Sequence, residues 1–468
     1  MFRDYRVAAI AAVVLLALST AAFKPFTDLA PLGHYVVASV MITLGLWIFK
    51  PGGVPFLAGS AFLVAASLIL GLKYTTALSG FVSPAVWILI PALYFGFVLE
   101  KTGLGRRIAY CVLKSFNPGW ATMALSWFII GMALSALTPS ITVRLAIVMP
   151  IALGIIDACK QEHKSKGAAY IALIALAMCI FPGTGWLTGS LSGPIMIGFL
   201  PPELRPLATF DNWFKMLAVP WLIVTVVYVV LVYLFMKPKE KIGIPRDTFE
   251  RQYAELGPIT RREIVTAVIL LGALILFTTE KWHGIPAAAS AMLALIMLLL
   301  CGIVEAREIG TGANWDIIVF FGVALSLSTI FMDGKVSAWI APLLEPTLLS
   351  LAPNPLLFMA AATFGMMLLR FIDVPWGYSA IALTTTLLIP LWNRFGIHPL
   401  VATFVYLVGI NFFLLSYQQP WVLMAEGIIR NKGWAAGHVF AAGLCYIVAV
   451  AVALCISVPY WRMIGAIR

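Results

Sequence analysis

Leu137-Thr138-Pro139-Ser140-Ile141-Thr142 interrupts, near its middle, an apolar block that runs from Trp120 to Ile156. About 20 apolar residues cross a bilayer core as one helix, so this block is far too long for one crossing, whereas two full crossings would need longer limbs. Its two prolines, Pro139 and Pro150, stand eleven residues apart, and both flanks, near Asn117 and at Lys160–Lys166, are basic. A re-entrant hairpin that enters and leaves on one side fits these facts. A second over-long block, Pro355–Trp392, is broken in the same way at Asp373-Val374-Pro375-Trp376-Gly377-Tyr378-Ser379.

The rest of the chain supports a membrane setting. Of 468 residues, 62% are apolar and 11% charged, against about 45–50% and about 25% in soluble domains. A soluble multidomain protein, a disulfide scaffold and a disordered chain are excluded. The net charge of +11, from 31 Lys/Arg and 20 Asp/Glu, suits a polytopic protein whose cytoplasmic loops collect cations. Nucleic-acid binding would need a clustered basic face on a soluble module, so no nucleic-acid partner is expected. The six cysteines are scattered without metal-ligand spacing, and the five histidines are dispersed.

Apolar blocks and their breaks predict an all-α polytopic membrane protein with about 11 transmembrane helices plus two re-entrant hairpins. The predicted divisions are N-terminal scaffold helices over 1–83 and a first repeat over 84–236, with hairpin 120–156 and broken helix 167–199. A cytoplasmic linker follows at 237–262 and scaffold helices at 263–314. The second repeat spans 315–456, with hairpin 355–392 and broken helix 398–427, and 457–468 forms a tail. The basic Met1–Arg6 and the apolar Val7–Phe23 resemble a signal peptide, but the run is long and many spans follow, so an uncleaved first helix is expected. With the N-terminus cytoplasmic and both broken blocks as hairpins, 20 of the 31 Lys/Arg fall on the cytoplasmic side, nine outside and two, Arg144 and Arg370, inside. This bias supports the topology and puts the C-terminus outside.

Both halves read as span, amphipathic turn, hairpin, broken helix and plain helix, in opposite orientations. Inverted repeats with interrupted helices in matching positions point to a secondary transporter with its site near the bilayer midplane. Irregular backbone at membrane depth must be buried or line a cavity, so the four breaks predict one central cavity. The first broken helix is expected to open at Phe181-Pro182-Gly183-Thr184-Gly185 and the second at Ser416-Tyr417-Gln418-Gln419-Pro420. Helix N-termini at the hairpin tips suit an anion. Candidate substrate contacts are Thr138, Pro139, Ser140, Ile141, Thr142, Arg144, Thr184, Gly185, Arg370, Trp376, Gly377, Tyr378, Ser379, Tyr417, Gln418 and Gln419. Arg144 and Arg370 sharpen the anion reading because charge inside a span is costly; pairs with Asp157 and Asp373 are their structural alternatives. Candidate sodium ligands are Ser140, Thr142, Gly183, Asp373, Ser379 and Ser416.

Thr138 through Arg144 resembles the TPSN(T/S)AR hairpin-tip motif of the divalent anion/sodium symporter (DASS) family, in its branch of citrate/succinate antiporters and plastid 2-oxoglutarate/malate translocators. Ser379–Pro390 is similar to the second tip, Leu187-Thr188-Gly189 to Pro194 to the LTxxAxNP stretch, and Pro459–Gly465 to the terminal PWWKxxG. The resemblance covers nearly the whole chain. It implies a homodimer with a fixed scaffold and an elevator-like transport domain, no enzymatic activity, a di- or tricarboxylate-like substrate, and sodium as the coupling ion or a counter-anion in exchange. The chain departs from the motif where Ile141 and Ala380 replace the two asparagines, which removes two amide side chains from the tips and predicts weak sodium dependence. A proton-coupled carrier with Asp373 as acceptor is the alternative within transport. An intramembrane enzyme would need paired acids or a His/Glu cluster, and a purely structural membrane scaffold would not need four symmetric breaks.

Overall fold

The computed structural model describes residues 2–200, 204–240, 242–245, 247–340, 342–343, 354–371, 392 and 395–467. In chain order, α1 (Phe2–Phe23) and α2 (Pro31–Phe49) pack together, and α3 (Phe56–Ile69) packs on α2. Next come α4 (Pro84–Lys101), the amphipathic α5 (Leu104–Lys114), and the hairpin limbs α6 (Trp120–Leu137) and α7 (Ile141–Ala158). The first interrupted helix consists of α8 (Lys166–Thr184) and α9 (Ser192–Phe199). It leads into α10 (Phe210–Met236), which contains a π-helical turn at Phe214–Ala218. A short α11 (Thr248–Glu255) precedes α12 (Arg261–Thr278), α13 (Ala287–Leu300), α14 (Trp315–Asp333) and α15 (Pro355–Leu369). The second interrupted helix consists of α16 (Pro399–Asn411) and α17 (Pro420–Ile428), and α18 (Ala436–Met463) follows.

Among the described residues all regular structure is helical, apart from one isolated antiparallel bridge between Ile397 and Ile467. Nine described helices, including both limbs of the first hairpin, are long and apolar enough to cross a membrane; α3, α13, α15 and α16 are shorter apolar helices. Of the second hairpin, α15 is described, and its break, Asp373 to Ser379, lies outside the described residues.

Three boundaries differ from the sequence reading. Pro150 does not end α7, so each limb of the first hairpin reaches 18 residues, or about 27 Å at 1.5 Å per residue. The limbs are therefore longer than expected, but the turn between them is inside the protein: Thr138 and Ser140 are buried. The first broken helix stays helical through Pro182 and Gly183 and opens only after Thr184. Proline removes one N–H from the ladder, and α8, buried from Gly167 to Thr184, is held by packing on α6, α7 and α10. Finally, α18 continues to Met463 and takes up much of the expected tail.

Small residues let α8 serve as the centre. Ala168, Ala169, Ala172 and Ala175 are fully buried on it, as close helix packing in a membrane requires. Gly131 of α6 lies against the Met178 backbone, where a Cβ would overlap the carbonyl.

The linker is a docked brace. Arg107 on α5 donates to the Glu263 carboxylate at 2.6 Å and to the Gly257 carbonyl at 3.0 Å, and the Glu263 hydrogen bond raises the pKa of the guanidinium. Lys114 sits 3.4 Å from the Tyr253 ring centroid on α11, and the Trp120 indole donates to the Glu240 carbonyl at 2.6 Å. The base of the hairpin is thereby tied to the segment joining the two halves.

Candidate functional site

The first hairpin tip and the first break meet as one built junction. Ser140 caps α7 by accepting from the Val143 N–H at 3.4 Å, and Thr138 Oγ1 accepts from the Ser140 N–H at 3.2 Å. The Leu191 N–H in the break donates to the Pro139 carbonyl at 3.3 Å. Arg144, fully buried one turn into α7, points back across this junction. Its Nη1 donates to Ser135 Oγ at 2.6 Å, the Gly189 carbonyl at 2.7 Å and the Thr138 carbonyl at 3.2 Å. Nε and Nη2 have no hydrogen-bond partner among the described residues. Gly183 makes this approach feasible, because a Cβ there would meet the guanidinium and the Gly189 carbonyl.

The second break is held differently. Gln418 Oε1 accepts from the N–H groups of Leu414 and Leu415 at 2.8 and 2.9 Å, and Gln419 Nε2 donates to the Ile410 carbonyl at 2.9 Å. These side chains replace the ladder bonds lost on unwinding, as buried backbone groups require. Arg370, buried at the end of α15, donates through Nη2 to the Gln418 carbonyl. Ser416 donates to Glu426 at 2.5 Å, while Tyr417 is 41% exposed. The two breaks touch where Asn411 Nδ2, at the end of α16, donates to Thr184 Oγ1 at 3.2 Å.

A cavity of about 240 Å³ opens beside the first junction. Pro139, Ser140, Ile141, Thr142 and Val143 form one side with Ser190 and Leu191 of the break; Phe97 and Glu100 of α4, Asn314, and Phe320 and Phe321 of α14 form the other. The first N–H groups of a helix have no intrahelical acceptor, and those of Ile141 and Thr142 gain none among the described residues. They lie where α7 borders the cavity. Lys50 does not line it. Its ammonium rests 3.2 Å from the centroid of Phe56, a wall residue, and Asp316 caps the Phe56 and Leu57 N–H groups at 3.0 and 2.7 Å. Burial lowers the Lys50 pKa, against the opposing pull of Asp316.

The structure thus brings together Pro139, Ser140, Ile141 and Thr142 at the cavity. Thr138 and Arg144 hold the junction from behind, and Thr184 joins the two breaks. Gly185 borders a separate apolar cavity of about 210 Å³ with Trp186 and Phe214. Arg370, Gln418 and Gln419 hold the second break, whereas Asp373, Trp376, Gly377, Tyr378 and Ser379 lie outside the described residues. Of the candidate sodium ligands, the Gly183 carbonyl already accepts from Trp186 N–H. Sequence reading missed Phe97, Glu100, Ser190, Asn314, Asn411 and Trp421. The aromatic members carry the same pattern as lipid-facing residues, and the only advance signal for Phe97 and Phe320 is that α4 and α14 open the two repeats.

Comparison with known proteins bears on the whole chain. A membrane protein of Cupriavidus necator is 25% identical over 92% of this chain and 84% of its own length. The L-tartrate/succinate antiporter of Escherichia coli is 25% identical over 64% of each chain, so this chain spans a little less than two thirds of that relative. The crystal structure of the Alcanivorax borkumensis YdaH transporter superposes with a TM-score of 0.58 at 15% identity, covering 99% of this chain and 98% of that one, and so shares its fold. The profile of the sodium:sulfate symporter transmembrane region matches residues 5–467, and the chain therefore belongs to this family of multi-pass membrane transporters.

Proposed function

We propose that the protein is a secondary carrier of small organic anions that works by anion exchange. The observation that carries the reading is the N-terminus of α7, whose Ile141 and Thr142 N–H groups meet the 240 Å³ cavity without an acceptor among the described residues. A helix N-terminus combines free donors with partial positive charge, which suits a carboxylate. The tartrate/succinate antiporter among the relatives agrees with carboxylate exchange.

Arg144 favours exchange over sodium symport. A sodium ion at the tip–break junction would need carbonyl and hydroxyl oxygens, and the guanidinium already uses Ser135 Oγ, the Thr138 carbonyl and the Gly189 carbonyl. A second cation there would face a fixed one. Sodium at the second tip would draw on Asp373 and Ser379.

The hairpins and broken helices form the moving body of an elevator, with the cavity between it and α3, α4 and α14. The cavity borders Glu100, beside the basic 101–114 stretch, and so opens toward the cytoplasm of a bacterial-type inner membrane. The N-terminus lies on that side and the C-terminus outside, in a homodimer surrounded by lipid.

Uptake of labelled anion into proteoliposomes tests the reading. Entry is expected to require unlabelled anion inside and to change less than about twofold when choline replaces sodium. A steep, saturable sodium requirement with no need for internal anion would refute exchange.

A further inference from the structure

The outer faces of α6 and α10 leave a seam between them, although both helices pack on α8. Ala121, Ala124 and Phe128 recur every three or four residues on α6 and so share one face. Val226, Val229 and Tyr233 do the same on α10, and the two rows border an open cavity of about 300 Å³. The 210 Å³ cavity beside Gly185 continues the same rows, with Met132 on α6 and Leu222, Ala218 and Phe214 on α10. From Tyr233 to Phe214 is about 28 Å at 1.5 Å per residue, close to the hydrocarbon thickness of a bilayer, about 30 Å. The seam faces outward, since Leu125, Val226 and Val230 at the first cavity are 45%, 43% and 47% exposed.

One end of the seam is cationic. Lys237 stands one turn past Tyr233, donates to its hydroxyl at 3.3 Å and lies 4.7 Å from its ring centroid. Lys239 follows, and both lysines are exposed. None of the ion pairs among the described residues uses either of them. Packing and charge then decide what fills the seam. Lipid tails are as apolar as leucine, so what an empty seam forfeits is contact, because atoms bordering a void lose their dispersion partners. A flexible acyl chain restores those contacts along both rows. A second copy of the protein is a poorer occupant: in a two-fold contact seam meets seam, and the lysines of the two copies would face each other at one depth. An anionic headgroup answers them instead.

We infer that the seam binds an anionic phospholipid, with its phosphate at Lys237 and Lys239 and an acyl chain lying between Ala124 and Val229. One leaflet contributes half the core depth, about 15 Å, so a chain entering at Tyr233 ends near Leu222, where the second cavity begins. That cavity borders Pro182, Gly185 and Trp186 at the end of α8, and the chain end therefore braces the place where the first broken helix opens. The inference goes beyond the anion-carrier reading and is independent of it.

Native mass spectrometry and thermal shift test the site on the purified full-length chain, delipidated and then given phosphatidylglycerol or phosphatidylcholine with identical acyl chains. Phosphatidylglycerol is expected to stay bound and to raise the Tm above that in phosphatidylcholine, as a ligand of the folded state does. Lys237→Gln and Lys239→Gln should each weaken its retention about fivefold and leave phosphatidylcholine unchanged. Ala121→Phe and Val226→Trp, both at exposed positions, fill the seam and should each remove the phosphatidylglycerol shift while the lipid-free Tm stays the same. Equal retention of the two lipids by the unmodified chain, or an undiminished shift in both filled variants, would overturn the inference. Loss of a dimer on filling the seam would also overturn it and give the seam to a second copy.

Discussion

The two broken helices solve one problem with opposite chemistry. At the first break a charged side chain from the hairpin, Arg144, gathers the Gly189 and Thr138 carbonyls, and glycines leave space for it. At the second, neutral amides from the break itself, Gln418 and Gln419, replace the lost ladder bonds, and Arg370 donates to the Gln418 carbonyl near the far end. The first junction therefore owns its cation and depends on the hairpin for stability. The second is largely self-supporting, since Gln418 serves N–H groups three and four residues away. A repeat in topology need not be a repeat in mechanism.

The largest effect should come from the first junction. Arg144→Ala strands three buried acceptors, each costing about 1–3 kcal/mol when left unmade, and should lower anion uptake at least about 100-fold in proteoliposomes. Sodium provides the sharper readout. With the guanidinium gone, about 100 mM sodium should raise the apparent Tm of Arg144→Ala relative to choline, as a ligand of the folded state does, while the unmodified chain shows no such shift. Full uptake by the variant would break the contrast between the junctions.

Gln418→Ala addresses the other side. It leaves the Leu414 and Leu415 N–H groups without their acceptor, so a loss of about 2–3 kcal/mol is expected, read as a lower Tm. Sodium should not restore it, because no cation is removed. Gly183→Ala should cost about 1–3 kcal/mol by overpacking, since its Cβ would press on the Gly189 carbonyl and the Arg144 guanidinium. A thermal melt of Gly183→Ala equal to that of the unmodified chain would show that the junction yields more than its geometry implies.

Much of this arrangement was legible in the sequence. The Thr138–Thr142 interruption located the tip within a residue or two, and Ser416–Gln419 fell inside the second break, which spans 412–419, with Pro420 opening the next helix. The first break was placed too early because Pro182 and Gly183 are local signals, whereas the helix end is set by packing around α8. Arg144 was marked by the cost of burying charge. Whether it faces substrate or backbone depends on a carbonyl 45 residues away, which no local pattern encodes. The aromatic cavity wall stayed hidden for a related reason: a phenylalanine facing a cavity and one facing lipid look alike in a membrane helix, and only the packing of α4 on α7 and the place of α14 at the cavity separate them.

The smallest predicted effect concerns the one hydrogen bond described between the break-flanking ends of the two interrupted helices. Asn411 donates to Thr184 Oγ1, and Thr184 in turn donates to the Ile180 carbonyl at 3.1 Å. Both residues are about 1% exposed, so Thr184→Val and Asn411→Ala each leave a buried polar group or gap. A double-mutant cycle on thermal stability removes those individual costs and isolates the pair, with a coupling of about 0.5–1.5 kcal/mol expected for a neutral hydrogen bond. If the halves move as one body, the same pair should couple in anion uptake, since breaking it would let the charged junction and the amide-held break shift independently. Coupling in stability without coupling in transport would mean that the contact only packs the two repeats together.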